Sequence, residues 1–428
     1  MKILTKISQT LWGDLTKEEW KKFGLLSSAF ALIVGIYWIL RPIRDALFAN
    51  NVGTLYLPYA KIASVVFLIP LMLVYSKLLN IFEREKLLCL FAISYSFFFL
   101  CAAYLLANTN ILSSRILCIS GWIIYLGIES FISLMYTLFW SLVANATDTA
   151  TAKRGYVLIF AGAQLGTIAG PELAKHATLI GLPTLFFIAA CGTFIIQFPI
   201  KLFTMRYPET MPQISLHNTT LTEGLKLFLN KPYLLGILSI TILSDIVTTI
   251  LEFELVYRAN ETYNSTEKIT EFLGLYGQYT NFSTLLFTIF GTSFIIRKYG
   301  LTTALVAYPL TVGILIYYAW KVQTLWVLFT IMIVIKCLSY ALNNPCKDII
   351  YIPTSNAIKF KTKGWIDTVG SKVAKSIGGG IGILFPILAN LIFFGTIISL
   401  GAIVLWVIAA LYIGRKNHHL LKNNKIIE

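Results

Sequence analysis

Long apolar runs alternate with short polar segments along the whole chain. Twelve such runs are present, at 23–40, 60–79, 87–106, 112–143, 156–170, 182–202, 233–252, 272–296, 301–320, 325–342, 368–388 and 391–414. An α-helix needs ~20 predominantly apolar residues to cross the hydrocarbon core of a bilayer, and most of the runs are close to that length. The pattern therefore predicts an all-α integral membrane protein with about twelve transmembrane helices.

The composition supports this class and excludes others. Of the 428 residues, 57% are hydrophobic and 13% are charged, whereas soluble domains contain about 25% charged residues. A net charge of +15 is compatible with nucleic-acid binding, but basic residues in a multi-pass protein normally lie in its cytoplasmic loops. We therefore expect a lipid bilayer around the chain and no nucleic-acid partner.

Lysine and arginine are distributed unevenly between alternate loops. With a cytoplasmic N-terminus, 24 of the 35 lie on the cytoplasmic side and 6 on the opposite side. This bias predicts that both termini are cytoplasmic. The polar segment 1–22 with its five lysines does not resemble a cleavable signal peptide. We expect a multi-pass integral membrane protein.

The longest polar segment between runs divides the twelve helices into six and six. The predicted regions are a cytoplasmic N-terminal segment (1–22), an N-terminal six-helix bundle (23–202), a central cytoplasmic loop (203–232), a C-terminal six-helix bundle (233–414) and a cytoplasmic tail (415–428). Within the loop, 216–229 could form an interfacial helix. A 6+6 arrangement of this kind is major-facilitator-like, and its substrate site lies near the bilayer midplane between the halves.

Small residues mark one of the shorter runs. Gly162, Gly166 and Gly170 recur every four residues in the fifth run. This spacing favours close packing of that helix against another one.

Charged residues lie within several of the runs or at their ends. A charge at the bilayer centre costs ~2.5–3.5 kcal/mol on insertion scales, so each is a functional candidate by default. These residues are Arg41, Arg44, Asp45, Lys61, Arg115, Glu129, Asp245, Glu252, Glu254, Lys336 and, just beyond the tenth run, Lys347.

Structural explanations compete with functional ones. Arg41 and Arg44 could be interface anchors whose charges reach the lipid headgroups. Glu129 lies so deep in its run that it needs a partner or a water-filled cavity, and Arg115, about four turns away on the same helix face, could form a structural ion pair with it. Lys359, Lys361 and Lys363 fit ordinary cytoplasmic charges.

Enzymatic chemistry has little support. Gly378-Gly379-Gly380 near Lys375 lacks the residue order and the preceding strand of a P-loop. The four histidines and six cysteines form no metal-binding spacing. We expect a protein that is not an enzyme and that holds neither a metal ion nor a cofactor.

Short motifs at many points of the chain resemble those of one transporter family. They are Leu40-Arg41-Pro42-Ile43-Arg44-Asp45, Leu57-Pro58-Tyr59-Ala60-Lys61, Glu129 followed by Leu138-Phe139-Trp140 and Ala144-Asn145, Glu254-Leu255-Val256-Tyr257-Arg258, Pro345-Cys346-Lys347-Asp348 through Tyr351-Ile352-Pro353, Lys361-x-Lys363-Gly364 and Ile366-Asp367-x-Val369-Gly370. They are similar to L-R-D-T-K-D, I-P-F-L-K, E-L-W-G with L-F-W-x-F-A-N, E-V-T-W-K, P-T-K-E-M-A-Y-I-P and K-x-K-G-K-x-x-I-D-x-x-G of the ATP/ADP translocases of obligate intracellular bacteria and plastids.

The resemblance implies a nucleotide transporter, and we expect it in a bacterial inner membrane. The charged residues that this family uses for transport fall, by position, on Arg44, Glu129, Glu254 and Lys347. The chain departs from the motifs at Pro42-Ile43, which interrupts the first, and at Arg44, Ser339 and Asn344, which stand where the family has lysine, lysine and aspartate.

The resulting hypothesis is exchange of ATP for ADP, or of related nucleotides, by a monomer working through alternating access. Arg44, Lys61 and Lys347 would hold the phosphates, since arginine offers a bidentate fork and lysine a point charge. Glu129 and Glu254 would pair with these cations when the site is empty. Further candidates for the site are Arg41, Asp45, Arg115, Tyr136, Trp140, Asn145, Glu252, Lys336, Asp348 and Lys375, with the aromatic rings offered to the base.

Two alternatives remain open at this point. The chain could carry another phosphorylated or organic anion, such as a sugar phosphate, by facilitated transport or by proton symport through Asp45 and Glu129. It could also be a membrane scaffold that transports nothing.

Overall fold

The computed structural model describes residues 16–147, 149–207, 231–355 and 366–423, which are almost entirely helical. The first half contains α1 (Lys17–Phe48), α2 (Leu57–Ile81), α3 (Arg84–Ala107), α4 (Ser114–Ala146), α5 (Thr149–Ala174), the short α6 (Ala177–Ile180), α7 (Leu182–Ile195) and α8 (Gln197–Arg206). The second half contains α9 (Pro232–Thr262), α10 (Thr266–Phe287), α11 (Ser293–Tyr299), α12 (Leu301–Val322), α13 (Leu325–Leu338), α14 (Asn344–Ile349), α15 (Ser371–Leu384) and α16 (Leu388–Lys422).

The helices confirm the predicted transmembrane pattern. Within the described chain, ten segments are long and apolar enough to cross a membrane. The first of them, Lys17–Leu79, contains α1 and most of α2, and α15 lies between the last two. Each of the twelve predicted runs therefore coincides with one helical segment or with two consecutive ones. The predicted interfacial helix at 216–229 and the lysines at 359, 361 and 363 fall outside the described residues.

The chain forms two compact units. Unit 1 comprises the described residues of 1–52, 66–215 and 263–278, and unit 2 comprises those of 53–65, 216–262 and 279–428. Helices α2 and α10 are thus each divided between the units. They are the second transmembrane segments of their respective halves.

In unit 1, α1 and α5 pack with their backbones in close contact. A Cβ atom on Gly166 would overlap the carbonyl oxygen of Ala31 and lie 2.9 Å from the backbone nitrogen of Gly35. Gly162 faces Ser27 and Gly170 faces Gly35 in the same way. The four-residue glycine spacing is therefore confirmed as a helix contact, since only glycine leaves room for the facing backbone.

Aromatic side chains fill the interior of unit 1 between α1 and α4. Phe30 and Phe139 are fully buried and stack with ring centroids 4.5 Å apart. About two turns earlier on α4, Phe131 meets Phe99 of α3 edge to face at 5.3 Å. Offset and edge-to-face pairs of this kind stabilise a core beyond the burial of their area.

In unit 2, α9 is the most enclosed helix. It contacts α15 at Gly378, where a Cβ would lie 2.9 Å from the Cβ of Thr249. It contacts α16 through Tyr233, whose hydroxyl accepts from the Asn417 amide at 2.8 Å and donates to the Ile350 carbonyl at 2.6 Å. These contacts fix the direction in which α9 presents its charged residues.

The outward surface of the helices is apolar, as a bilayer requires. On α16 the exposed side chains include Phe393, Ile397, Val404, Leu405 and Ile408. Large apolar side chains exposed in this way are atypical of a soluble monomer and suit contact with lipid.

In the described part of the chain, four π-helical segments adjoin the α-helices, at Ala49–Gly53, Thr288–Thr292, Ser339–Asn343 and Ile366–Gly370. The second and third are linked, because Thr292 donates its hydroxyl to the Ala341 carbonyl in the third. π-Helical turns within α-helices occur frequently at functional sites. Lys347 follows the third segment, on α14, which ends at Ile349.

Candidate functional site

The guanidinium of Arg44 is the central group of unit 1. Its side chain is 1% exposed, near the C-terminal end of α1. It donates to Glu129 of α4 and to Asp45, with Nε and Nη2 lying 2.9 and 2.7 Å from Asp45 Oδ1. A buried arginine is stable only when its charge and its donors are satisfied, and these two carboxylates do both.

Aromatic contact completes the surroundings of Arg44. Its guanidinium carbon lies 4.8 Å from the ring centroid of Tyr125, one turn before Glu129 on α4. A cation over an aromatic face is attracted by about 2 kcal/mol or more where water is excluded. The formal charges of Arg44, Asp45 and Glu129 sum to one negative charge.

The carboxylate of Glu129 pairs with Arg44 and not with Arg115. Arg115 occupies the second position of α4 and is exposed. The proposed intrahelical ion pair between Arg115 and Glu129 is therefore wrong. The side chain of Glu129 is 18% exposed, so its carboxylate remains partly accessible from outside the packed helices.

Unit 2 contains a second ion pair between helices. Lys336, in the last turn of α13, lies 2.7 Å from Glu252 of α9, and both side chains are mostly buried. Glu252 and Lys336 are secondary candidates from the sequence, and the structure brings them into direct contact.

Each of these two ion pairs joins the first and the fourth transmembrane segment of its own half. Counting transmembrane segments, α1 and α4 are the first and fourth of their half, and α9 and α13 are the first and fourth of theirs. In unit 1 the cation is on the first segment and the carboxylate on the fourth, whereas in unit 2 the order is reversed. Each unit therefore contains a mostly buried cation that is paired with a carboxylate of another helix.

Glu254 has a different environment from Glu252. Its carboxylate lies 2.6 Å from Nη2 of Arg258 on the same helix, and the two side chains are 7% and 8% exposed. Arg258 also donates through Nη1 to the carbonyl of Gln323, a residue with the left-handed backbone φ of 50° at the end of α12. This pair closes the junction between α9 and the turn from α12 to α13.

The two remaining predicted phosphate ligands are in unit 2. Lys61 is on the first part of α2 and Lys347 is on α14, and both are partly buried. Arg44 belongs to unit 1.

The other predicted residues divide into packed and exposed groups. Arg41 stacks on Trp38 at 5.0 Å, and Trp140 packs among the rings of Phe30, Phe139, Tyr156 and Phe160. Tyr136 is 46% exposed beside Trp140. Asn145 is partly buried, and Asp348 and Lys375 are exposed.

Two residues of these clusters were not predicted. Tyr125 precedes Glu129 by four residues, and Arg258 follows Glu254 by four, so each shares a helix face with its carboxylate. That spacing is visible in the sequence and could have identified both.

Comparison with known proteins gives a consistent result. A family model described as "TLC ATP/ADP transporter" matches residues 1–136 and 200–417. "ADP,ATP carrier protein 3" of Rickettsia bellii is 24% identical, over 95% of this chain and 95% of that protein.

Solved structures share the fold at low sequence identity. A bacterial homologue of the iron transporter ferroportin, in its inward-facing state, matches with a TM-score of 0.67 and 13% identity, covering 94% of this chain and 100% of the other. A mutant of the nucleoside transporter NupG matches with a TM-score of 0.63 and 13% identity, covering 92% and 99%. The fold is thus a major-facilitator-like transporter fold.

Proposed function

Because the chain belongs to the TLC ATP/ADP transporter family, we propose that it exchanges nucleotides, ATP for ADP, across a membrane by alternating access. The observation that carries this proposal is the buried guanidinium of Arg44, held between Asp45 and Glu129. A protein that only scaffolds a membrane has no need to maintain a charge at that depth.

Phosphate oxygens are suitable competitors for these carboxylates. Arginine has five N–H donors in a planar fork, which bind phosphate in bidentate fashion. An incoming nucleotide would displace Glu129 from Arg44 and, in unit 2, Glu252 from Lys336. Lys61, Lys347 and Glu254 complete the proposed set, by their positions in the family motifs.

The carboxylates explain why transport would proceed by exchange. With nucleotide bound, its phosphates neutralise the buried cations. When it leaves, Glu129 and Glu252 would pair with these cations again. A second nucleotide is then needed to open these pairs again, because separating a buried pair without a replacement costs about 3–5 kcal/mol.

The exchange would also respond to membrane voltage. ATP carries one more negative charge than ADP, so each exchange moves one net charge. That movement changes the driving force by ~2.3 kcal/mol per 100 mV.

The proposed location is a bacterial inner membrane, with both termini in the cytoplasm. The excess of lysine and arginine on alternate loops supports cytoplasmic termini in a bacterial inner membrane. We propose that a monomer carries out transport, since both ion pairs form within a single chain.

The direct test is uptake of labelled ATP by cells expressing the protein, followed by a chase with excess unlabelled ADP. Exchange predicts rapid loss of label during the chase and slow loss in buffer alone. Arg44→Gln should abolish uptake, while Lys321→Gln, at the exposed end of α12, should leave it unchanged. Equal loss of label with and without ADP would overturn exchange.

Proton-coupled uptake of a nucleotide or another phosphorylated anion is the second candidate. It is favoured by one observation: Arg44 binds two carboxylates, so a phosphate that displaces them leaves excess negative charge for a proton to neutralise. An uncoupler would collapse accumulated label in this case and leave ADP-driven exchange intact in the first.

A further inference from the structure

Asp245 lies near the middle of α9 and is the intramembrane carboxylate that the functions above leave unused. Its side chain has a single hydrogen-bond partner in the described part of the chain, the hydroxyl of Ser371 at the start of α15, which donates to Oδ2. Thr249 is close, but its hydroxyl donates to the main-chain carbonyl of Asp245. Among the described residues, no lysine or arginine forms an ion pair with Asp245, whereas Glu129, Glu252 and Glu254 each have one.

Asp245 also lies on the accessible face of α9. Most side chains of this helix between Gly236 and Val256 are buried. The partly exposed ones are Leu238, Ser239, Ile242, Leu243, Asp245 and Glu252. Asp245 and Glu252 are seven residues apart, hence on the same face and ~10 Å apart along the axis. Charged side chains within membrane spans almost always face the protein interior or a water-filled cavity.

The same face of α9 links Asp245, through Glu252, to Lys336. Glu252 holds Lys336 at 2.7 Å. On the same side of Lys336, the phenol of Tyr308 donates to the carbonyl of the preceding residue, Ile335, at 3.3 Å. A ligand whose anionic end lies on Lys336 would therefore have Asp245 within reach of its next group.

The chemistry of Asp245 limits what that group can be. An ionised carboxylate only accepts hydrogen bonds, and Ser371 occupies one side of it, so the partner must supply donors. In a nucleotide, the group one short chain away from the phosphates is the ribose, with two adjacent hydroxyl donors. Carboxylates accept from ribose hydroxyls in the same way at the dinucleotide sites of Rossmann folds.

We propose that Asp245, oriented by Ser371, accepts hydrogen bonds from the ribose hydroxyls of the transported nucleotide while Lys336 holds its phosphates. This proposal rests on nucleotide exchange as the function. It makes Asp245 the residue that distinguishes ribonucleotides from deoxyribonucleotides, because its carboxylate supplies the acceptor that the ribose hydroxyls need.

The test is competition against exchange of labelled ATP in cells expressing the full chain, with ATP, 2′-deoxy-ATP and 3′-deoxy-ATP as competitors. For the unmodified protein we expect at least one deoxy compound to compete at least tenfold more weakly than ATP, because loss of the hydroxyl leaves a charged acceptor without a donor. In Asp245→Ala the ratio should fall towards one, through weaker competition by ATP. Ser371→Ala should give an intermediate ratio, and Glu261→Gln, which changes an exposed carboxylate at the end of α9, should leave it unchanged.

The outcomes separate this inference from the function itself. If the unmodified protein exchanges ATP but does not discriminate against either deoxy compound, the Asp245 site is overturned and the exchange stands. Unchanged discrimination in Asp245→Ala has the same meaning. If Asp245→Ala does not reach the membrane, the unmodified protein and Ser371→Ala decide. If there is no exchange of any nucleotide, both proposals fail.

Discussion

Arg44 of α1 donates to the carboxylate of Glu129 of α4, although the two residues are 85 positions apart in the sequence. The guanidinium is almost completely buried, while Glu129 retains 18% exposure. The carboxylate is thus the more accessible partner of the pair. It is the group that an arriving anion would meet and displace.

Glu129→Gln should separate substrate binding from turnover. The amide competes with phosphate for Arg44 less well than a carboxylate, because charge-assisted hydrogen bonds are about twice as strong as neutral ones. We expect the KM for ATP to fall and the maximal rate of exchange to drop at least tenfold, since the nucleotide would leave more slowly. Both parameters are measured from initial rates of labelled ATP uptake.

Glu261→Gln is the control for that substitution, since it removes an exposed carboxylate on α9. It should change neither parameter. A raised KM in Glu129→Gln would contradict competition between this carboxylate and the phosphates.

The Glu252–Lys336 ion pair should contribute both to stability and to transport. Lys336→Gln leaves the mostly buried Glu252 without its cation. Removing one partner of a buried ion pair lowers the free energy of unfolding by about 3–5 kcal/mol. We expect a lower melting temperature in detergent and less protein in the membrane. Adding Glu252→Gln should restore both, because the charge imbalance disappears, but ATP exchange should stay below a tenth of the unmodified level.

Restored exchange in the double variant would show that the pair has only a structural role. Lys321→Gln, which removes an exposed lysine, provides the reference for the loss of one positive charge.

The sequence predicts the helices well and the charge partners only in part. Apolar runs predict spans because lipid cannot satisfy a free backbone, so the spans must be helical. The cost of a charge in lipid likewise identifies Arg44, Glu129, Glu252 and Lys336. Partners on different helices depend on packing, which the sequence does not contain. The sequence therefore offers Arg115 as well as Arg44, Lys61 and Lys347 as partners of Glu129, and the ion pair with Arg44 is visible only in the structure.

Arg258 should matter more for stability than Glu254 does. Arg258 bonds both to Glu254 and to the Gln323 carbonyl, so Arg258→Gln disrupts two contacts and leaves a buried carboxylate alone. Glu254→Gln keeps the hydrogen bond between Arg258 and the Gln323 carbonyl and removes only the negative charge of the carboxylate. We expect the larger fall in melting temperature for Arg258→Gln, measured in detergent with the two variants side by side.

The reverse order of melting temperatures would contradict this structural assignment. Glu254 is also one of the positions for which the motif resemblance implies a role in transport. If that role holds, Glu254→Gln should slow ATP exchange by more than its loss of folded protein explains, whereas a purely structural Glu254 would reduce both in proportion.

Gly166→Ala should destabilise the packing of α5 against α1. The added Cβ would overlap the Ala31 carbonyl and approach the Gly35 backbone, and backbone atoms cannot rotate away as a side chain can. Overpacking of this kind costs about 1–3 kcal/mol. Gly24→Ala is the matched control, because Gly24 is on α1 and no atom lies within 4 Å of the position that the new methyl group would take. This control should be neutral or slightly stabilising, as alanine is the better helix former. Melting temperatures in detergent give the comparison, and an equal response of the two variants would refute backbone contact between α1 and α5.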